Sequence, residues 1–179
     1  DSTSDVAVLK IEATGLTPAV IGDSDSLAVG ETTIAVGNPL GTLSNTVTNG
    51  IVSALNREVT VQGNDMNLIQ TSASISPGNS GGGLFNAEGD LIGIVNAKSV
   101  SDNAEGLGFA IPVNTAIQVA TDLIQNGYVS GRPVMGVTVV TISDAQTAAQ
   151  YGVSSYGVYV AEVTENGPCL LYTSDAADD

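Results

Sequence analysis

The chain has 179 residues, room for one large domain or for one domain and part of another, and 42% of them are apolar, enough to bury a core. Four Lys plus Arg stand against nineteen Asp plus Glu, a net charge of −15 that repels phosphate backbones and anionic headgroups and so excludes nucleic acid as a partner. There is no histidine and a single cysteine, Cys169, so the commonest general base, the commonest zinc ligand and any internal disulfide are missing; no metal or organic cofactor is implied.

The first residue is Asp1, with no charged leader and no apolar run long enough to span a bilayer, and we read the start as internal to a longer gene product. Residues 6–11 are the first β-branched run. Further candidate strands are 32–36, 46–55, 68–72, 83–86, 91–97 and 107–111, separated by breakers at 38–41, 63–65 and 86–90, the last placed like a hairpin loop. Twenty-one glycines among such short runs argue for an all-β body, and six strands at this spacing can close a barrel.

The period then changes. Val113, Ile117, Ala120 and Ile124 recur at helical spacing, Asn114 is placed to cap the start and Gly127 to end it, which predicts an amphipathic helix of about three turns. Residues 130–133 read as a linker. Strands are expected at 137–142 and 157–163, flanking a polar, Ala-rich stretch at 143–151 suited to a short helix. This second unit stops after Gly167-Pro168, too short to bury a core alone. Residues 169–179 match nothing before them and read as a non-native tail; without Asp175, Asp178 and Asp179, sixteen acids still face four bases. The division is therefore 1–129, 130–168 and 169–179.

The sharpest chemical signal is Ser76-Pro77-Gly78-Asn79-Ser80-Gly81-Gly82-Gly83. Glycines around a serine let the backbone bend tightly, leave the hydroxyl uncrowded and turn successive N–H groups toward one point, where an oxyanion can form. The same spacing also suits a glycine-rich hairpin or an anion-binding nest without catalysis.

At this point the residues resemble a family. Ser80 within Gly78-Asn79-Ser80-Gly81-Gly82 is similar to the nucleophile motif of chymotrypsin-fold serine proteases, and Gln70-Thr71 leading through Ile75-Ser76-Pro77 resembles their HtrA (Deg) branch. Residues 4–11 resemble the segment that carries the triad aspartate. Val36-Gly37-Asn38-Pro39-Leu40-Gly41, residues 48–53 and residues 106–112 look like that family's barrel. The resemblance implies an all-β fold: the second six-stranded barrel of a chymotrypsin-like domain, one strand of the first barrel, a C-terminal helix and a truncated PDZ start.

It also implies roles. Ser80 would be the nucleophile, Asp5 the carboxylate that orients the base, and the amides of Gly78 and Ser80, with Asn79 between them, the oxyanion hole. Ile75 matches a position lining the pocket for the residue before the scissile bond. Val95, Asn96, Ala97, Lys98 and Ser99 match the strand and loop whose backbone pairs with an extended peptide. Val134, Met135, Gly136 and Val137 match the PDZ loop that captures a peptide C-terminal carboxylate. The histidine lies upstream of the aspartate in this family, so the 179 residues alone are expected to be inactive.

The implied whole is a bacterial serine endopeptidase acting on unfolded or damaged proteins outside the cytoplasm, assembled as a homotrimer. Its partners would be unfolded polypeptides and, through the PDZ domain, peptide C-termini. The alternative is a non-catalytic pseudoprotease or scaffold that holds extended peptides by strand addition.

Overall fold

The structure, a computed structural model, describes residues 1–38, 46–61, 63–96, 107–132, 135–165 and 167–168. The chain divides into two compact units, Asp1–Ser130 and a second beginning at Gly131. The breaker at 38–41 lies outside the described residues apart from Asn38, as does the 97–106 segment.

In the first unit the six expected strands are present: β1 (Thr32–Gly37), β2 (Thr46–Val61), β3 (Asn64–Thr71), β4 (Gly83–Phe85), β5 (Leu91–Val95) and β6 (Gly108–Pro112). They close antiparallel into a barrel in the order β1-β2-β3-β6-β5-β4. Alternation decides which side chains face inward: in β1, Thr33 and Ala35 are buried between more exposed neighbours. β2 is far longer than expected because it does not run straight. Its pairing with β3 slips between Val52 and Ala54 and again between Ala54 and Arg57. Asn56 there takes a φ of 51°, a left-handed residue at a bulge that bends the strand around the barrel.

Ala35, Val52, Ile69, Ala73, Leu84, Ile92, Val95 and Ala110 fill the barrel. A second cluster, Val61, Leu68, Phe109, Ile111 and Ala116, joins its wall to helix α1 (Val113–Asn126). The expected hairpin at 86–90 is closed by Asn86, whose Oδ1 accepts from the amides of Glu88 at 3.1 Å and Asp90 at 2.8 Å. Gly127 ends α1 with a φ of 80° and donates to Leu123 O, as its position suggested.

Three local expectations need correction. Asn114 does not cap α1: its own amide donates to Ser24 Oγ at 3.2 Å, and its Nδ2 donates to Asp23 Oδ1 at 2.8 Å, so the cap comes from a distant turn. The buried stripe of α1 is Val113, Ala116 and Val119, whereas Ile117 and Ile124 are 43% and 71% exposed. Residues 6–11 form no strand. A closed barrel presents no free edge for this run to pair with, and Leu9 and Ile11 lie exposed.

The second unit pairs β7 (Val137–Ile142) antiparallel with β8 (Gly157–Val163), with α2 (Ala145–Tyr151) between them. Asp144 caps α2, accepting from Thr147 N at 2.8 Å and Thr147 Oγ1 at 2.7 Å. Gly152 closes α2 in the left-handed region.

Candidate active site

Two consecutive turns shape the serine loop. Asn79 N donates to Ser76 O at 3.0 Å across Pro77 and Gly78, with Gly78 at a φ of 99°; proline then positive-φ glycine is the pair a type II turn requires. Gly82 N next donates to Asn79 O at 2.9 Å, with Gly81 at a φ of 82°. Ser80 therefore stands at the first corner of this second turn and is exposed. The loop's turn bonds use the amides of Asn79 and Gly82; that of Gly78 is not among them.

β5 clasps this loop immediately after the serine. Gly81 N donates to Val95 O at 2.9 Å and Val95 N to Gly82 O at 2.8 Å. β1 passes close behind: a Cβ on Gly82 would meet Val36 O, and a Cβ on Gly37 would meet Asn79 Oδ1, so glycine is required at both by close approach. Asn79 is 3% exposed, and its Oδ1 is buried without a hydrogen-bond partner among the described residues.

Asp5 is set by a separate turn. Asp1 N donates to Val6 O at 2.7 Å, Val6 N donates to Asp1 O at 3.3 Å, and Ser4 donates through N and Oγ to Asp1 Oδ2 at 2.9 and 2.6 Å. These bonds hold Asp5 at a φ of 51°, a conformation that Asp tolerates better than most residues. Asp5 Oδ2 accepts from Asn96 Nδ2 at 3.1 Å, a contact spanning 91 residues of sequence. Asn96 is 2% exposed, and its amide donates to Phe109 O at 2.8 Å.

The fold thus gathers Ser80, Gly78 and Asn79 in one loop, and links that loop to Asp5 through Val95 and Asn96. Ile75 is half-buried, packs on the barrel core and lies over the start of β6, where a Cβ on Gly108 would come within 2.6 Å of its Cγ1. Val95 differs from its expected part: its N–H and C=O both bond to the serine loop, so neither faces an extended peptide. Ala97, Lys98, Ser99 and Val134 lie outside the described residues. In the second unit Met135 is 68% exposed, Gly136 has a φ of 72° and its carbonyl accepts from Thr164 N at 2.7 Å, and Val137 begins β7.

The inward turn of the Asn96 side chain was missed from the sequence. Its signal was a polar residue continuing an apolar strand run, Leu91-Ile92-Gly93-Ile94-Val95. Chemically, the arrangement offers an exposed hydroxyl on a loop shaped by two turns, and a carboxylate held through the adjoining strand.

Known proteins give an independent comparison of family and fold. The family model for the trypsin-like peptidase domain matches residues 1–94. The chain is similar to the serine protease Do-like HtrB of Bacillus subtilis (strain 168), at 44% identity over 181 residues covering 94% of the chain and 39% of HtrB. It is similar also to the serine protease PepD of Mycobacterium tuberculosis, at 40% identity over 92% of the chain and 40% of PepD. Among solved structures, the HtrA-type protease AlgW with decapeptide superposes with a TM-score of 0.67 at 38% identity, covering 90% of the chain and 50% of AlgW. The chain spans about two fifths of the length of these curated relatives.

Proposed function

The chain belongs to the trypsin-like peptidase family, with Do-like HtrA serine proteases among its relatives, and from that premise we propose that Ser80 is the nucleophile of a serine endopeptidase to which these residues contribute the serine and the aspartate. The observation that carries the reading is the clasp between the serine loop and β5, whose next residue holds the Asp5 carboxylate.

In this reading Ser80 Oγ attacks the scissile carbonyl while an imidazole takes its proton. The 179 residues hold no histidine, so that base comes from polypeptide outside them. Asp5 orients the imidazole and stabilises the cation it becomes. The amides of Gly78 and Ser80 receive the oxyanion of the tetrahedral adduct, which collapses to the acyl-enzyme as the imidazolium gives its proton to the leaving amine; water, deprotonated by the imidazole, then attacks the acyl carbonyl and releases the second product and the Ser80 hydroxyl. A serine hydroxyl without its base is a poor nucleophile, so the chain alone retains at most the roughly 10³- to 10⁴-fold advantage over water that binding and an oxyanion hole supply.

For the whole protein we propose unfolded or damaged polypeptides as substrates, peptide C-termini as ligands of the Val134 to Val137 loop, a homotrimeric assembly and an extracytoplasmic place in protein quality control. The decapeptide named with AlgW supports recognition of peptides.

The test is a fusion of this chain to the region of the Bacillus subtilis HtrB upstream of its match, as the proposed source of the imidazole. The fusion is expected to cleave casein and to lose that activity on Ser80→Ala, while the unfused chain does not cleave. A fusion that binds casein without cutting it overturns the reading in favour of a non-catalytic peptide holder.

A further inference from the structure

We propose that the cavity at the β2 bulge is a binding site for a primary alkylammonium group of about four to six carbons, apart from the serine site and independent of the peptidase reading. β2 pairs Ala54 with Gln70 and then Arg57 with Leu68, so Leu55 and Asn56 together oppose Ile69, two residues against one. At this break in the ladder lies a cavity of about 210 Å³, lined by Leu55, Asn56, Ile69, Ser24, Asp25 and Pro112. Ile69 is 1% exposed and packs in the barrel core, so the cavity reaches inward from the surface. An apolar cavity of about 150 Å³ already holds benzene, and this one has room for a chain of about four to six carbons.

The lining divides by chemistry. Leu55, Ile69 and Pro112 supply apolar surface, and Ser24, Asp25 and Asn56 are the residues with a hydroxyl, a carboxylate and an amide. The positive end of α1, which starts one residue after Pro112, is already answered: Ser24 Oγ accepts from Asn114 N at 3.2 Å and Asp23 Oδ1 from Asn114 Nδ2 at 2.8 Å. Asp25 is left over, its carboxylate meeting no donor among the described residues. Ser24 is 7% exposed, and of the two lone pairs on its hydroxyl Asn114 N uses one. A primary ammonium carries three donors and no acceptor, which suits a hydroxyl, a carboxylate and an amide carbonyl together. An anionic ligand would meet Asp25 as a like charge, and a quaternary ammonium has no N–H to give. The net charge of −15 draws cations to the whole surface, so it is the demand for N–H donors above an apolar floor that sets this place apart.

The experiment titrates the 179-residue chain with butylammonium chloride, following the melting temperature and the amide resonances of residues 24–26 and 55–56. Sodium chloride at equal ionic strength corrects for screening of the acidic surface, and butyltrimethylammonium chloride keeps the charge and the chain while removing the donors. Butylammonium is expected to raise the melting temperature beyond sodium chloride along a saturating curve, with a dissociation constant on the order of millimolar for so small a ligand, and to shift those resonances. Asp25→Asn, at an exposed side chain, is expected to weaken binding about tenfold or more by removing the charged acceptor. The same head group ends a lysine side chain: competition by Nα-acetyl-lysine methylamide assigns the pocket to a protein-borne lysine, its failure to compete assigns it to a free amine, and either result upholds the site. The absence of a saturating rise beyond sodium chloride overturns the proposal. So does an equal response to butyltrimethylammonium, or a parent-like dissociation constant in Asp25→Asn.

Discussion

The backbone of Gly37, at the end of β1, lies directly against the side chain of Asn79, the residue before Ser80: a Cβ on Gly37 would stand 3.0 Å from Asn79 Cα and overlap Asn79 Oδ1. The contact couples the barrel wall to the serine loop by steric fit alone. Gly37 is not one of the positive-φ residues, so a larger side chain there is opposed by space and not by backbone torsion.

Gly37→Ala is therefore expected to push the loop outward, destabilising the first unit by about 1–3 kcal/mol, the usual range for overpacking. Urea denaturation measures the loss. In the HtrB fusion the same variant is expected to lower kcat by more than its melting behaviour accounts for. An unchanged denaturation midpoint would mean that the loop stands further from β1 than it does here.

Gly50, in β2, faces harder atoms. A Cβ there would collide with Ala73 N and stand 2.6 Å from Ser72 C, and main-chain atoms cannot rotate away as the Asn79 side chain can. Gly50→Ala is expected to cost about 3 kcal/mol or more, exceeding Gly37→Ala in the same urea series. The reverse order would contradict the packing of β2 against the segment that leads into the serine loop.

Thr33 and Thr71 are both fully buried, and their hydroxyls share a hydrogen bond of 2.6 Å inside the barrel. Thr71 Oγ1 also accepts from Ala73 N at 3.0 Å, holding the chain as it leaves β3 toward the serine. Thr71→Val strands both the Thr33 hydroxyl and the Ala73 amide and is expected to cost about 2–4 kcal/mol; Thr33→Val leaves the Ala73 bond in place and is expected to cost about half as much. The double variant should fall short of the sum, since the two residues share one bond. Additive losses in a double-mutant cycle would show that the pair is not bonded.

These cases show which parts of the molecule a sequence discloses. Strands and turns were legible where the chemistry is local: β-branched runs between Gly and Asn breakers gave all six barrel strands, and Pro77-Gly78 announced the turn before the serine. The bounds of β7 and β8 were legible for the same reason. The face of α1 was not, because Val113, Ile117 and Ile124 are as periodic as Val113, Ala116 and Val119, and only the barrel wall decides between the two stripes. Nor was the length of β2, whose continuation past Leu55 depends on bulges opposite β3. Least legible were long-range polar contacts: Asn96 to Asp5 and Asn114 to Asp23 each join residues 91 positions apart.

Asp144 and Asp23 each contribute to the pH response. The Thr147 amide, and then its hydroxyl, hold the Asp144 carboxyl below the ordinary carboxylate range; for Asp23 the Asn114 side chain acts first and the Asp25 amide second. A lowered carboxyl in the folded state contributes stability that is present above its unfolded value, near 3.9, and lost as pH falls through the lower folded value. The start of α2 is therefore expected to fray on acidification below about pH 4, seen as loss of exchange protection at the Thr147 amide. Asp144→Asn keeps an acceptor for that amide and removes the titration, so it should abolish the pH dependence while preserving the cap. If the Thr147 amide in Asp144→Asn still loses protection over the same range, Asp144 is not the titrating group.

Charge sets the response to salt. Among the described residues the salt bridge between Lys10 and Glu12, 3.4 Å long, joins two groups that are 85% and 90% exposed, so it contributes almost nothing against a net charge of −15. Self-repulsion of this size weakens the compact state more than the expanded one, and screening relieves it, with a Debye length that shrinks from about 30 Å at 0.01 M to about 8 Å at 0.15 M salt. The melting temperature is expected to climb steeply between these concentrations and then to level off. Sodium chloride and sodium perchlorate should act alike in the steep region, since screening depends on ionic strength and not on the anion, and should diverge only at molar concentration where surface exclusion and binding take over. A melting temperature flat from 0.01 to 0.15 M would show that the acids are spaced widely enough, or neutralised well enough by neighbouring dipoles, for repulsion to be immaterial to folding.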